Sequence, residues 1–166
     1  MNGFDVFTYE QYFAQGKCMI REGSNILSLF ETKDAYGKLI IPDDPEMVCQ
    51  QLMYDPDTLT LIEEGSFLKD FNILIGVWKS YDLEGNVIDE QDMDEGYPVK
   101  WDDLKGIMLA NDIPLDDVQE LLRKPNAENQ PVWILKMKTK HRIREIITID
   151  AVNGDIIERK KTSIKG

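Results

Sequence analysis

The amino-acid sequence predicts an α+β protein of mainly antiparallel β-sheet, built from hairpins, with three to four short helices. Three segments support this prediction, because each places an aspartate, then a glycine, then a pair of apolar residues: Asp34–Ile40, Asp82–Ile88 and Asp150–Ile157. Glycine supplies the positive φ of a tight turn, and the apolar runs beside it supply the strands. The spacing between the segments is irregular, which indicates repeated hairpin building rather than a solenoid.

The chain has enough apolar residues for one folded domain. It contains 166 residues, of which 42% are hydrophobic, and a chain of this length and composition can bury a core. We expect a single domain over residues 1–166, whose substructure would be an N-terminal α+β half, 1–97, and a C-terminal half, 98–166, of helices followed by three strands.

The charge balance limits the classes of partner. The chain has 31 acidic and 19 basic residues and a formal charge of -12, which repels nucleic acid and anionic membranes. We therefore expect a neutral or basic protein partner. The charge is uneven, since residues 1–132 hold 27 acidic and 10 basic side chains, and residues 133–166 hold 4 and 9. The alternative is that the acidity serves solubility alone.

The cysteines and the N-terminus predict a cytoplasmic protein. Cys18 and Cys49 have no spacing typical of a metal site or a disulfide framework, and we expect both to be small core residues. The chain begins without a basic region and apolar run, and no stretch approaches the roughly 18 apolar residues of a membrane span.

The stretch Ile73–Trp101 organises the predicted fold. Its apolar residues predict a strand over Ile73–Tyr81 that is buried at its start and half-buried at its end. A turn over Leu83–Asn86 leads to a second strand. This strand runs into Asp89–Glu95, which holds five carboxylates in seven residues and which we call the acidic ribbon.

The remaining N-terminal segments predict two helices and one hairpin. Residues 4–15 are rich in aromatics and predict a helix that plugs a core. Ile26–Phe30 and Leu39–Ile41 predict the first hairpin. A helix is expected from Pro45 to a stop at Asp55-Pro56, with an aspartate as its cap. Residues 59–67 fit a strand or a helix.

The C-terminal segments predict two helices followed by a meander. Trp101–Asn111 has apolar residues on one helical face and acidic residues in its first turn. A second helix is expected over Pro114–Pro125. After a polar loop, three strands follow from Pro131, from Ile143 and from Ile156, and we expect Trp101 and Trp133 to share one core.

The sequence shows no catalytic residue set and no metal site. It contains no phosphate loop, no Gly-x-Ser-x-Gly elbow and no Cys-His arrangement at a helix start. The acidic ribbon does not fit a calcium loop, because Gln91 and Met93 stand where ligands are needed. His141 is the single histidine and is expected in a surface turn. We therefore predict no catalytic residue, no metal and no cofactor.

A partner-binding surface is predicted at the acidic ribbon, because aromatics beside carboxylates suit an interface with a basic protein. The alternative for Trp78 and Trp101 is a place in the core. The predicted partner-binding residues are Trp78, Tyr81, Asp82, Glu84, Asp89, Glu90, Asp92, Asp94, Glu95 and Tyr97.

Two segments resemble known modules. Ser80–Ile88 resembles the Tyr-Asp-x-x-Gly-Asn hairpin unit of MORN-like and Rhs-type repeats. Trp101–Arg159 resembles the PepSY module, in which a helix leads to antiparallel strands with an Asp-Ala-x-x-Gly hairpin, here within Ile149–Ile157. That resemblance implies peptidase inhibition and export. The chain departs from the module by its predicted second helix and by lacking an export signal.

As a whole, the short, acidic α+β chain is similar to the immunity proteins that bacteria encode beside polymorphic or contact-delivered toxins. This resemblance implies a binding protein that blocks one cognate toxin by stoichiometric occlusion. Two alternatives are a hydrolase that reverses a toxin's modification and a PepSY-like peptidase inhibitor.

Overall fold

A computed structural model describes residues 4–15, 18–43, 47–138 and 143–163. The chain divides into two compact units, Met1–Met93 and Asp94–Gly166. The predicted turn at His141 and the predicted helix start at Asp44-Pro45 lie outside the described residues. Within the described ranges, no helix is long and apolar enough to cross a membrane.

The first unit contains one helix and seven antiparallel strands that pair in chain order. The elements are α1 Val6–Ala14, β1 Met19–Glu22, β2 Asn25–Glu31, β3 Tyr36–Pro42, β4 Val48–Tyr54, β5 Leu61–Leu68, β6 Ile73–Tyr81 and β7 Val87–Asp92. The predicted aromatic helix, the β2–β3 hairpin and the β6–β7 hairpin are confirmed.

The helix α1 packs on one face of this sheet through aromatic side chains. Phe4 and Tyr9 are buried against Leu29, Leu52 and Tyr54. The Phe4 and Tyr54 rings lie 5.4 Å apart between centroids and are tilted by 50°, a favourable geometry for aromatic pairs. Phe4 and Tyr9 therefore contribute to the core of the first unit, whereas Phe7 is 70% exposed.

The sheet face opposite α1, which we call the open face, has a defined set of side chains. Cross-strand pairing places Phe30, Gly37 and Met53 in one row. Gln51 and Gly65 belong to the next row on the same face. Among the described residues of this unit α1 is the single helix, so no helix of the unit covers the open face.

The predicted helix from Pro45 to Asp55 is wrong, because β4 occupies Val48–Tyr54. Its apolar residues alternate between faces: Leu52 and Tyr54 are buried against α1, and Cys49 and Met53 point to the open face. Hydrogen bonds to strands on both sides stabilise this extended backbone. The undecided segment 59–67 contains strand β5.

Two burial predictions in the first unit are also wrong. Cys18 is exposed, whereas Cys49 is buried as expected. The start of β6 is not buried, because Ile73 is half-buried and Leu74 is 39% exposed. Among the described residues of this unit α1 is the single helix, and it packs on the face opposite Leu74, which accounts for the exposure of Leu74.

The second unit combines one helix with a four-stranded antiparallel sheet of order β11-β10-β9-β8. Its elements are α2 Trp101–Ala110, a 3-10 turn Leu115–Asp117, β8 Val118–Pro125, β9 Pro131–Met137, β10 Ile143–Asp150 and β11 Ile156–Ser163. Trp101 and Trp133 are both buried in this unit. The Trp133 indole N–H donates to the Val99 carbonyl at 2.8 Å, which satisfies its buried polar group.

The predicted second helix over Pro114–Pro125 is wrong. Only the 3-10 turn is helical there, and Val118–Pro125 forms β8. Leu121 is buried and lies opposite Leu135 of β9, so pairing with β9 outweighs the local helix signal. The sheet therefore has four strands rather than three. Across the described residues there are two helices and the 3-10 turn, not three to four helices.

Candidate protein-binding surface

Strand β7 of the β6–β7 hairpin is the most exposed of the described strands of the first unit. Strand β7 lies at the edge of the sheet and pairs with β6 alone, and every one of its residues is exposed. An edge strand offers side chains on both faces and an outward row of main-chain groups. The acidic ribbon begins on this strand.

The turn of the hairpin is held by Asp82. Its carboxylate accepts hydrogen bonds from the Asn86 main-chain N–H at 2.7 Å and from the Asn86 side-chain amide at 2.9 Å. These bonds, the side-chain one foremost, hold the pKa of Asp82 below its usual value. Gly85 provides the positive φ of +88°, while Glu84 is exposed at the tip. Asp82 therefore fixes the turn, whereas the Glu84 side chain is exposed to solvent.

The two predicted aromatics of β6 are fixed against β5. The Trp78 indole N–H donates to the Ser66 carbonyl at 3.0 Å, and a Cβ at Gly65 would lie 2.1 Å from the Trp78 ring. The Tyr81 hydroxyl donates to the Glu64 carboxylate at 2.5 Å. This bond, with burial and the nearby negative charge, raises the pKa of Tyr81 to about 12. Both rings remain partly accessible.

The carboxylates of the acidic ribbon that lie on β7 are divided between the two faces of the sheet. Asp89 pairs across the strands with Ser80, on the open face. Glu90 lies on the other face, where its carboxylate is 3.7 Å from the Lys79 ammonium. Asp92 is exposed at the end of β7, and Glu95 is exposed in the turn that follows. The predicted concentration of exposed negative charge is therefore present at these residues.

Asp94 and Tyr97 have a structural role instead. The Arg123 guanidinium donates to the Asp94 carboxylate at 2.5 Å, with the two side chains 8% and 6% exposed. The same guanidinium lies 5.1 Å from the centre of the Tyr97 ring and 5.3 Å from that of Trp133. Cation–π contacts of this kind compensate part of the desolvation cost of a buried cation. Of these two predicted partner-binding residues, Asp94 thus belongs to the interior of the second unit, and Tyr97 is half-buried against the Arg123 guanidinium.

The hairpin also carries exposed apolar residues that the sequence does not single out. Val77, Leu83, Val87 and Ile88 are 43%, 52%, 49% and 66% exposed. The sequence signal that could have identified them is that Val87-Ile88 directly precedes a run of carboxylates. Apolar side chains surrounded by charge are typical of an interface centre with a polar rim.

A cleft of about 310 Å³ lies beside α1, on the face of the sheet that this helix covers. Its lining combines apolar side chains such as Phe4, Ile20 and Leu27 with charged side chains of both signs, namely Asp5, Arg21, Glu22 and Lys38. No group of three or more histidine, cysteine or acidic side chains close enough to hold a metal ion occurs in the part of the chain that the structure describes.

Comparison with protein-family models, curated proteins and solved structures gives no match. The interpretation of the hairpin therefore depends on its own geometry and charge.

Proposed function

We propose that this protein binds a cognate bacterial toxin and neutralises it by stoichiometric occlusion, as immunity proteins do. The observation that supports this proposal is the β6–β7 hairpin, whose edge strand is exposed along its whole length. It presents carboxylates directly beside exposed Val87 and Ile88. A basic enzyme domain is the partner that fits this combination.

The distribution of charge between the two units supports the same partner. Residues 1–93 carry 18 acidic and 6 basic side chains, and residues 94–166 carry 13 of each. The whole negative excess therefore belongs to the unit that contains the hairpin. Such a field accelerates the encounter with a basic protein, and apolar contacts then slow dissociation.

The proposal is tested by the association kinetics of a charge-reversed hairpin. Glu84→Lys and Asp89→Lys are combined, because both side chains are exposed. The partner is the protein encoded by the neighbouring gene, carrying an inactivating substitution. At low salt we expect association to slow about tenfold, and the deficit to shrink as added salt screens the field. Asp94 is left unchanged, because its loss would disturb the second unit.

The matched control has the same change in net charge at two other turns of the first unit. Asp34 and Asp57 are exposed, and the combination Asp34→Lys with Asp57→Lys should affect association much less. The proposal is wrong if the hairpin variant associates like wild type while Lys160→Glu and Lys161→Glu abolish binding. The interface would then lie on the basic strand β11.

A PepSY-like peptidase inhibitor is the second candidate. It is favoured by one observation, namely that α2 leads through a short 3-10 turn directly to antiparallel strands, without a second helix. Titration of a peptidase encoded nearby tests this candidate. Hydrolysis that continues unchanged at a molar excess of the protein would reject it.

A further inference from the structure

The open face of the first unit carries large apolar side chains that are half-buried. On the α1 side, Leu29, Leu52 and Tyr54 are buried, and Tyr36, Ile40 and Leu61 are half-buried around them. On the open face, the large apolar side chains stay partly accessible, among them Ile26, Phe30, Leu39, Met53, Phe67 and Trp78. Half-buried apolar side chains that lie side by side on a sheet face can form the centre of a contact with another molecule.

Two aromatic rings make this surface rigid. A Cβ at Gly37 would lie 2.0 Å from the Phe30 ring, and one at Gly65 would lie 2.1 Å from the Trp78 ring. Both rings therefore lie directly over glycines of neighbouring strands, and the Trp78 N–H is also bonded to Ser66. Rings that are already fixed lose little conformational entropy on binding, which favours them as interface anchors.

The charge around the open face favours a basic protein over a second copy of this chain as its binding partner. Glu63, Ser80 and Asp89 form one cross-strand row on this face, in a unit with 18 acidic and 6 basic side chains. A second copy of the chain would bring the same negative charge against it. At the β1 end, the charge of Arg21 is compensated by Asp43, whose carboxylate lies 2.7 Å from the guanidinium. The open face therefore keeps its acidic character. The complementary occupant has an apolar centre and a basic rim.

We infer that the open face is a docking surface for a basic protein and that, if the proposed function holds, this protein is the toxin. The face is continuous with the hairpin, because Trp78 pairs across the strands with Gln91, and Ser80 with Asp89. One partner can therefore contact the hairpin and the open face together, with Phe30 and Trp78 as anchors near the centre.

Two substitutions on β4, one on each face of the sheet, test whether the open face binds the partner. Met53 lies on the open face, and Gln50 lies on the opposite face of the same strand and is exposed. Met53→Lys should weaken binding of the inactivated neighbouring-gene product about tenfold or more, as expected for an interface centre. Gln50→Lys should change it less than about twofold. Cytochrome c, a basic protein of unrelated fold, is the control for charge attraction alone.

The natural tryptophans allow a second test on the unmodified chain. Trp78 is partly accessible, whereas Trp101 and Trp133 are buried. Acrylamide quenching of tryptophan emission therefore reports mainly on Trp78. We expect quenching in the free protein and a clear loss of quenching in the complex. This measurement holds even if Met53→Lys does not fold.

The outcomes distinguish the inference from the proposed function. If the Glu84→Lys and Asp89→Lys variant loses binding while folded Met53→Lys binds normally and Trp78 stays quenchable, the inference fails and the proposed function stands. If the neighbouring-gene product does not bind at all, the proposed function fails and the inference fails with it. Protection of Trp78 that rises with the concentration of the chain alone would assign the face to a second copy and overturn the inference.

Discussion

At the scale of single residues, the buried ion pair between Asp94 and Arg123 carries a large desolvation cost. Both side chains are more than nine-tenths buried, so each has lost most of its hydration. A buried charge is tolerable only when its partner is present, and removal of one partner leaves the other uncompensated. The pair therefore makes the interior of the second unit sensitive to single substitutions.

We predict that Asp94→Ala lowers the free energy of unfolding by about 3–5 kcal/mol, because it leaves the Arg123 guanidinium buried without its carboxylate. Urea denaturation followed by tryptophan fluorescence measures this change. Glu95→Ala is the control, since Glu95 is the exposed neighbour and should shift stability by no more than about 0.5 kcal/mol. Equal midpoints for the two variants would contradict the structural role given to Asp94.

The raised pKa of Tyr81 predicts that the stability of the folded protein decreases at alkaline pH. The bond to Glu64 raises the pKa of Tyr81 to about 12 in the folded chain, above the ordinary value of 10.0. The folded state therefore holds the phenol proton more tightly, so its stabilising effect is complete below about pH 10 and is lost as the pH rises towards about 12. Tyr81→Phe should lose stability at neutral pH and show a smaller further loss above pH 10. Chemical denaturation at pH 8 and pH 11 tests this, and identical losses in both proteins would refute it.

At the scale of elements, the hairpins were predictable because their turn chemistry is local. Gly85, for example, has the positive φ that the sequence requires. The strands over residues 48–54 and 118–125 could not be predicted from the local sequence. Each segment follows a proline and acidic residues that resemble a helix start. Each forms a strand because it pairs with neighbouring strands. The exposure of β7 could be predicted from its charge. The burial of Asp94 could not be predicted, because its partner Arg123 lies 29 residues away in the sequence.

Alanine substitutions at two glycines measure how backbone conformation affects stability where no steric clash occurs. A Cβ at Gly106 in α2 or at Gly76 in β6 would meet no atom within 4 Å. Gly76 has φ of +65°, whereas Gly106 is helical. We predict that Gly106→Ala stabilises the protein by about 0.5–1 kcal/mol and that Gly76→Ala destabilises it by about 1 kcal/mol. Thermal unfolding of both variants measures the difference, and shifts of the same sign would contradict it.

At the scale of the whole molecule, the two units differ in electrostatic repulsion. The first unit carries 18 acidic against 6 basic side chains, and the second carries 13 of each. Self-repulsion opposes a compact state and is screened by salt. We predict that raising sodium chloride from about 20 to about 500 mM stabilises the first unit more than the second. Residue-resolved hydrogen exchange measures both units in one sample, and equal changes in protection would count against this prediction.

The order of strands also has a consequence for how the chain folds during synthesis. In both sheets, every strand pairs with its neighbour along the sequence, so each pairing closes only a short loop. Short closures cost little entropy and favour fast folding. A sheet of this kind can grow one strand at a time as the chain leaves the ribosome. In the first unit the last strand to arrive is acidic β7, and its charge discourages the finished edge from recruiting a strand of another nascent chain.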